Sequence, residues 1–534
     1  MIQGINVDFW KRHSPEMAPF NDVFRTNDGP RRIRSNGTLD NPWSSLANVD
    51  EYGWPKAGET IGYWLQPNKE GKYILQYDHE YIQVDVKMQA GVREVNRTSI
   101  FELEIMVDDV SSPPHGGIQL RIKRLSEDAV PFLECYHQDS PNTTFTRQYL
   151  DYLEPYKVLR FMNTFRTNDI DQGKVENTLQ YQFDLAFVTE HTPWGGSILT
   201  ACELLRKLPG KDMWDCVPDK PEDWTDQKYE DYIRERAEVL KNSLSTGVHV
   251  YVEHSNEVWN SGFPQQKRLL HRAESDPTLT HAFPTNKWYR ARALHAIETN
   301  TIGRIYKEVL GPNRVTCLLA GQHYQLDTVR RGLDYLRDSG RVVYVDGIAI
   351  APYLGHDVTS DMTVEQTVDK LKEEFETFHT RLMSYVNFCN EEGLNLYAYE
   401  INHHINPDNK GYRHVPEVVD EVEKAFKEII EVTRMGCLFK QPGVNTVWSL
   451  NEGDELKKMY DSYLGSVTEP IEEGQDTPVE SGSGPIPDTD ENSPHVEEEP
   501  KELLFYKTED AIRHVDYLIG CLGEIRQELV HGTE

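Results

Sequence analysis

Val250-Tyr-Val-Glu-His-Ser-Asn-Glu-Val-Trp-Asn260 decides how the rest of the chain is read. Residues 248–252 are β-branched or aromatic around one His, with no Pro or Gly, as suits a buried strand of a mostly parallel sheet. Polarity begins abruptly at Glu253, where the strand is expected to end. In a parallel α/β barrel the carboxyl ends of the strands face the pocket, so Asn256 and Glu257 belong at its mouth. The competing reading makes Glu257 the first-turn carboxylate of the following helix, stabilised by the helix dipole.

Working outward, the chain after Phe132 alternates strand and helix. Apolar runs at 158–162, 213–217, 248–252, 315–320, 343–350, 395–399 and 445–449, with 5–7 near the amino terminus, give eight strands. Helical periods at 226–244, 300–310, 364–391 and 418–434 lie between them. This is the grammar of a (β/α)8 TIM barrel spanning 128–465, with its first strand and a long polar loop in 1–56. Residues 57–127 have a different period. Lys72-Tyr-Ile-Leu-Gln-Tyr77, Tyr81-Ile-Gln-Val-Asp-Val86, Phe101-Glu-Leu-Glu-Ile-Met-Val107 and Ile118-Gln-Leu-Arg-Ile122 alternate in twos between Gly and Pro breaks. They predict an antiparallel, sandwich-like β-domain inserted after the first barrel strand.

Near the other end, 469–502 contains twelve acidic residues, six prolines and a single lysine. It cannot bury enough apolar surface to order itself, so 466–504 is expected to be a disordered acidic insertion. Beyond it, Thr508 caps a helical pattern within 505–534, with Ile512, Val515, Ile519, Leu522, Ile525 and Leu529 on one face. That face is expected to pack on the barrel as its last helix; a tethered partner-binding helix is the alternative.

The formal net charge of −32 argues against nucleic acid or an anionic membrane as partner, because the long-range field repels both. No apolar run reaches membrane-spanning length, and Met1-Ile-Gln-Gly lacks the basic start and apolar core of a signal peptide. The default expectation is therefore a cytoplasmic protein, or a secreted one whose signal has been removed. The 27 Tyr and 10 Trp supply aromatic surface on which sugar rings stack. Seven scattered cysteines without a C-x-x-C pair read as reduced core thiols. The Asn-x-Ser/Thr sequons at Asn36, Asn96 and Asn142 inform only for a secreted chain.

A second carboxylate follows the run at 395–399, in Glu400-Ile-Asn-His-His404. Retaining hydrolysis of a glycosidic bond needs one carboxylate to attack the anomeric carbon and a second, raised in pKa, to protonate the leaving oxygen. The two must stand about 5 to 5.5 Å apart. Glu residues ending strands four and seven face each other across a barrel mouth.

At this point the chain resembles the clan A glycoside hydrolases, in which Asn-Glu closes strand four and a lone Glu closes strand seven. It is most similar to a little-characterised branch with the motif Tyr-Ser-Asn-Glu-Val-Trp-Asn, some members of which are labelled cellulose-binding. The likeness rests on His254-Ser-Asn-Glu-Val-Trp-Asn260, Leu159-Arg-Phe-Met162, Ile350-Ala-Pro-Tyr353 and Tyr399-Glu-Ile-Asn-His-His404. Gly4-Ile-Asn6 and Pro19-Phe-Asn-Asp-Val-Phe24 also match, so the likeness covers nearly everything except the acidic tail. It implies that Glu257 is the acid/base, that Asn256 binds the sugar 2-hydroxyl, and that Glu400 is the nucleophile. Arg160 and Tyr353 would then hold Glu400 ionised, by charge and by a donated hydrogen bond. Trp448, at the end of strand eight, would floor the sugar site. Trp259, Gln322, His403 and His404 complete the substrate-binding and supporting candidates. Two departures from the family pattern, His254 for Tyr and Ile401-Asn402 for Gly-Gly, place bulk expected to narrow the pocket.

No cofactor or metal is expected. His323, His356, His403 and His404 all follow expected strand ends, which leaves a metal-dependent hydrolase open, although strand one lacks His-x-His. The other alternative is a non-catalytic carbohydrate-binding or structural protein on the same scaffold, against which the presence of both Glu257 and Glu400 speaks.

Overall fold

A computed structural model of the chain describes residues 2–7, 20–26, 30–41, 44–50, 52–67, 69–87, 92–108, 117–140, 144–168, 170, 172–179, 196–359, 361–405 and 415–438. Its strands are, in chain order, β1 (Ile2–Asn6), β2 (Thr60–Leu65), β3 (Gly71–Tyr77), β4 (Ile82–Lys87), β5 (Val92–Arg97), β6 (Glu102–Val107), β7 (Ile118–Arg124), β8 (Leu133–His137), β9 (Val158–Arg160), β10 (Asp212–Val217), β11 (Val250–His254), β12 (Val315–Gly321), β13 (Gly347–Ile350), β14 (Asn395–Ile401) and β15 (Met435–Leu438). The helices are α1 (Arg147–Leu153), α2 (Ile198–Lys207), α3 (Asp226–Ser243), α4 (Pro264–Ser275), α5 (Pro277–Ala282), α6 (Lys287–Leu310), α7 (Asp327–Asp338), α8 (Val364–Glu392) and α9 (Pro416–Val432).

Strands β1 and β9 to β15 pair in parallel and close into an eight-stranded barrel, with β1 hydrogen-bonded to both β15 and β9. Helices separate successive strands, so the fold is the (β/α)8 barrel. Period-two alternation sorts the strand side chains into two cores. Val250 and Val252 of β11, Ile348 and Ile350 of β13, and Leu396 and Ala398 of β14 join the helix-facing cluster. Trp214, Cys216, Leu318, Ala349, Tyr397, Tyr399 and Cys437 fill the barrel interior, and Tyr251 packs against them.

Strand eight is not where the hydrophobic pattern places it. The barrel closes with β15, Met-Gly-Cys-Leu, while 445–449 lies outside the described residues. Gly436 hides this strand from propensity reasoning, because Gly disfavours strands. The packing demands it: a Cβ there would stand 2.4 Å from Ile401 Cδ1. Two strands also run further than their polarity suggests, β11 through Glu253 to His254 and β14 through Glu400 to Ile401.

The antiparallel insertion follows β1. One sheet runs β2-β7-β4 and the other β5-β6-β3-β8, and their inward residues, among them Tyr63, Leu75, Val84, Ile105, Leu120 and Cys135, share one core. The four alternating runs of the sequence are β3, β4, β6 and β7. The acidic insertion and the helix expected after Thr508 lie outside the described residues. The six described cysteines are all buried and unbridged, and no described helix is long and apolar enough to cross a membrane.

The helices that surround the barrel carry local stops. Helix α8 starts with a capping box between Thr363 and Gln366 and ends at Gly393, φ 67°. A cap of this kind contributes about 1 kcal/mol.

The seam between β15, β1 and β9 yields a stability test. A Cβ on Gly4 would meet Cys437 Sγ at 2.5 Å and the Val158 carbonyl oxygen at 3.1 Å. Gly4→Ala should therefore lower stability by about 1–3 kcal/mol in urea unfolding, and adding Cys437→Ala should recover part of the loss. A fully stable Gly4→Ala protein would contradict this closure.

Candidate active site

The site grows from Arg160, the last residue of β9, whose register neighbours are Asn6 on β1 and Trp214 on β10. Its guanidinium has no exposed surface. Nε and Nη2 grip Glu253, donating to Oε2 at 3.1 and 3.0 Å and to Oε1 at 3.2 Å. Nη1 donates to Asn6 Oδ1 at 2.6 Å and to Glu400 Oε1 at 3.0 Å, and Nη2 donates to Asn256 Oδ1 at 2.8 Å. The Tyr399 and Trp214 rings lie 5.0 and 5.7 Å from its central carbon, within cation–π range.

Glu400 receives a second strong donor, the Tyr353 hydroxyl, at 2.6 Å from Oε2. Burial, and then the charge of Glu400, push the Tyr353 phenol well above its ordinary pKa, so it stays a donor. The direction Glu400 takes is set by an irregularity in β14: pairing with β15 shifts between Ala398 and Ile401. Tyr399 and Glu400 are consecutive, yet Tyr399 packs in the barrel interior and Glu400 reaches Arg160 there. A bulge re-aims side chains in this way.

Glu257 is presented by a strained turn. Ser255 and Glu257 have φ of 54° and 45°, the left-handed region that non-Gly residues seldom adopt. Ser255 N donates to the Val217 carbonyl at 2.7 Å and its Oγ to the Thr167 carbonyl at 3.1 Å. Gln265 Nε2 holds the Asn256 carbonyl at 2.7 Å, and Asn256 Nδ2 donates to Asn168 Oδ1 at 2.9 Å. The reading of Glu257 as a helix-opening carboxylate falls here, because the next helix is α4 with Phe263 as its N-cap.

Tyr399 OH donates to Glu257 Oε1 at 3.2 Å and Asn260 Nδ2 to Oε2 at 2.9 Å. Burial pushes the Glu257 carboxyl up to about 7, and the negative charge of Glu400 adds to it; the two hydrogen bonds pull the other way. The two carboxyls thus sit in one buried site with opposite surroundings. Glu400 has the charged donor, and Glu257 has neutral ones.

The remaining sequence candidates divide. Trp259 is half-buried against the interior cluster, and its buried Nε1–H meets no hydrogen-bond partner among the described residues. Gln322 directly follows β12, with its backbone N bonded to Thr328 Oγ1 at 3.0 Å and its carbonyl to Tyr385 OH at 2.6 Å. The His404 ring packs 4.6 Å from Tyr353 and 3.8 Å from His356, and burial drives its pKa down to about 3, so it is a neutral aromatic wall. His403 is fully buried, and its Nδ1 accepts from Ile405 N at 3.2 Å. Trp448 lies outside the described residues, and the strand expected to carry it is not the strand that closes the barrel.

Two of the three side chains expected to narrow the pocket, His254 and Ile401, point away from the barrel interior. Ile401 belongs to the helix-facing core, and His254 faces Asp219 and Glu298 at 3.7 and 3.5 Å. Among the described residues, Asp219, His254 and Glu298 form the one acid–His grouping tight enough for a metal. Arg272 Nη2 already lies 3.0 Å from Asp219 and 2.8 Å from Glu298, with Arg268 Nε 2.8 Å from Asp219. Two guanidiniums neutralise the two carboxylates, so the grouping is a closed salt-bridge cage.

Glu253, Tyr399 and Asn6 were not among the residues singled out from sequence. Strand parity carries the missing signal: with Val250 and Val252 facing the helices, Glu253 must face inward.

No protein-family model matches the chain, and no curated protein does. Among solved structures 64 chains are similar. The CBM22-1–GH10 modules of a Clostridium thermocellum endo-1,4-β-D-xylanase, complexed with xylohexaose, share 11% identity over 78% of this chain and 89% of that chain, with a TM-score of 0.33. A GH51 arabinofuranosidase from Xanthomonas axonopodis pv. citri shares 12% over 58% and 64%, with a TM-score of 0.34. An endo-β-1,4-mannanase double mutant from Cellulomonas fimi shares 12% over 45% and 46%, with a TM-score of 0.28, so this chain spans about half of its length. The fold itself rests on the strand pairing described above. Fold and site together define a (β/α)8-barrel protein with two buried glutamates at the carboxyl ends of strands four and seven.

The raised carboxyl has a measurable thermodynamic sign. Its proton is held more tightly folded than unfolded, so between pH 4.5 and about 7 stability falls as pH rises. Glu257→Gln removes this dependence. The variant should match the wild type below pH 4.5 and exceed it above pH 7 by about 3 kcal/mol, read by denaturant unfolding at several pH values. A pH-independent difference would contradict the buried placement of Glu257.

Proposed function

We propose that this protein is a retaining glycoside hydrolase acting on a β-linked poly- or oligosaccharide. The observation that carries the reading is the unequal treatment of two neighbouring carboxyls. Glu400 accepts from Arg160 and Tyr353, which favours the carboxylate a nucleophile needs. Glu257 is pushed up to about 7, which favours the proton a general acid needs. Two carboxyls in one site with such different surroundings suit separate acid and nucleophile roles.

In the proposed reaction Glu400 attacks the anomeric carbon while the glycosidic C–O bond breaks and Glu257 gives its proton to the departing oxygen. The products of this step are the free aglycone alcohol and a glycosyl ester on Glu400. Glu257, now ionised, takes a proton from water as the water oxygen attacks the same carbon, releasing the sugar and restoring both groups. The Asn256 amide, held by Arg160 and Asn168, would hydrogen-bond the 2-hydroxyl. The indole N–H of Trp259, without a partner among the described residues, would serve the same ligand. An uncharged sugar polymer is also a partner class compatible with a net charge of −32.

A screen of β-linked polysaccharides and aryl β-glycosides, with Glu400→Ala as control, tests the reading. Activity should follow a bell-shaped pH profile whose basic limb falls near pH 7, set by Glu257. Glu257→Gln should lose that limb on substrates needing leaving-group protonation, and an unchanged profile would refute its role. A 2-deoxy-2-fluoro glycoside with a good leaving group should label Glu400 alone, as mass spectrometry of the digest would show. Binding without hydrolysis or labelling would indicate a carbohydrate-binding protein instead.

A further inference from the structure

The barrel interior holds one carboxylate that the reaction above does not use. Glu253 has no exposed surface, and the hydrogen bonds it accepts come from Arg160, Trp214 Nε1 at 2.9 Å and Cys216 Sγ at 3.7 Å. Burial raises the Glu253 carboxyl, and the charge and hydrogen bonds of Arg160 with the Trp214 N–H oppose it; a protonated carboxyl would waste one of these donor contacts, so the hydrogen bonding favours the ionised form. Arg160 is thereby shared. Two of its nitrogens serve Glu253, and Nη1 serves Glu400.

Resting on the proposed function, we propose that Glu253 is a positioning residue that sets the charge felt by the Glu257–Glu400 pair, acting through Arg160. Without Glu253, Glu400 would be the one carboxylate facing the Arg160 guanidinium among the described residues, and the cation would act undivided on the reacting pair. Arg160 draws the Glu257 carboxyl down, while the charge of Glu400 raises both Glu257 and Glu253. With Glu253 ionised, the guanidinium charge is cancelled once before it reaches the reacting pair. The site then keeps a net negative charge when Glu400 is ionised, which holds the proton on Glu257 and leaves Glu400 electron-rich. Glu253 also fixes the guanidinium in the orientation that presents Nη1 to Glu400, because the fork of Arg binds a carboxylate through two nitrogens at once.

The test reads Glu257 directly and needs no substrate. Potentiometric titration of the full-length protein, minus that of Glu257→Gln, gives the titration of Glu257. The same difference is taken in the Glu253→Gln background, which keeps the side-chain volume and removes the charge. The midpoint should fall by about one pH unit, a tenfold stronger acid. Glu253→Asp keeps the charge and Trp214→Phe removes only a neutral donor, so both should leave the midpoint where it is. An unmoved midpoint in Glu253→Gln overturns the proposal. Should that variant not fold, a midpoint displaced in Glu253→Asp or Trp214→Phe overturns it, because packing would then be what sets the acid; undisplaced midpoints in both support it. In an active protein, both limbs of the pH–kcat/KM profile must move to lower pH in Glu253→Gln, where a purely structural role would lower the amplitude alone. A wild type that hydrolyses nothing, yet whose Glu257 midpoint falls on Glu253→Gln, would refute the proposed reaction and leave this assignment standing.

Discussion

Everything at the mouth of this barrel depends on burying one guanidinium. Stripping a cation of water costs several kcal/mol even after relaxation, and the cost is recovered only where geometry satisfies most of its donors. Arg160 achieves this through Glu253, Asn6, Glu400 and Asn256, contributed by β11, β1, β14 and the turn after β11. Each partner comes from a different place in the chain. The ion cluster therefore forms only when strands one, two, four and seven are all in register, and once formed it fixes where Asn256 and Glu400 stand.

The strain at Ser255 and Glu257 follows from the same centre. Left-handed backbone at two non-Gly residues costs on the order of 1–3 kcal/mol each and needs compensation nearby. Ser255 obtains it from the Val217 and Thr167 carbonyls, and Asn256 from Gln265, Asn168 and Arg160. The turn lifts Glu257 out of strand direction and sets it against Tyr399, one residue before Glu400 on β14. A regular continuation of β11 would alternate sides and could not present Asn256 and Glu257 to the same pocket.

How much of this was legible in the sequence depends on whether a feature is local. The barrel was readable because its strands are apolar runs separated by helical periods, and the sandwich because its runs alternate in twos. The contacts of Arg160 and Tyr353 with Glu400 are ones the family resemblance implies. Glu253 was missed because a charged residue was taken to end a strand, whereas a buried charge matched by Arg160 lets the strand continue through His254. Tyr399 was missed because alternation only places it inward with Tyr397, whereas its contact with Glu257 depends on the left-handed turn after β11, which no pattern in His-Ser-Asn-Glu announces. Strand eight was misplaced because Gly436 answers to the bulk of Ile401, a tertiary demand that overrides propensity.

Strand β11 then appears as a strip clamped on both faces. Parity sends Glu253 inward to Arg160 and His254 outward, where Asp219, Glu298, Arg268 and Arg272 form a compact ionic cage with His295 alongside. Burial opposes the ionisation of Asp219, but Arg272, His254 and Arg268 outweigh it and hold the carboxyl below its usual range. Two guanidiniums thus face the Asp219 carboxyl, and one of them also faces Glu298. Packed apolar side chains could have filled this position at no greater cost in stability, but they would have let the strand slide along its neighbours more easily than directional ion pairs do. A strand that must deliver Glu257 through a turn strained at Ser255 and Glu257 gains from being unable to shift, and the polar contacts of Glu253 and His254 on its two faces supply that constraint.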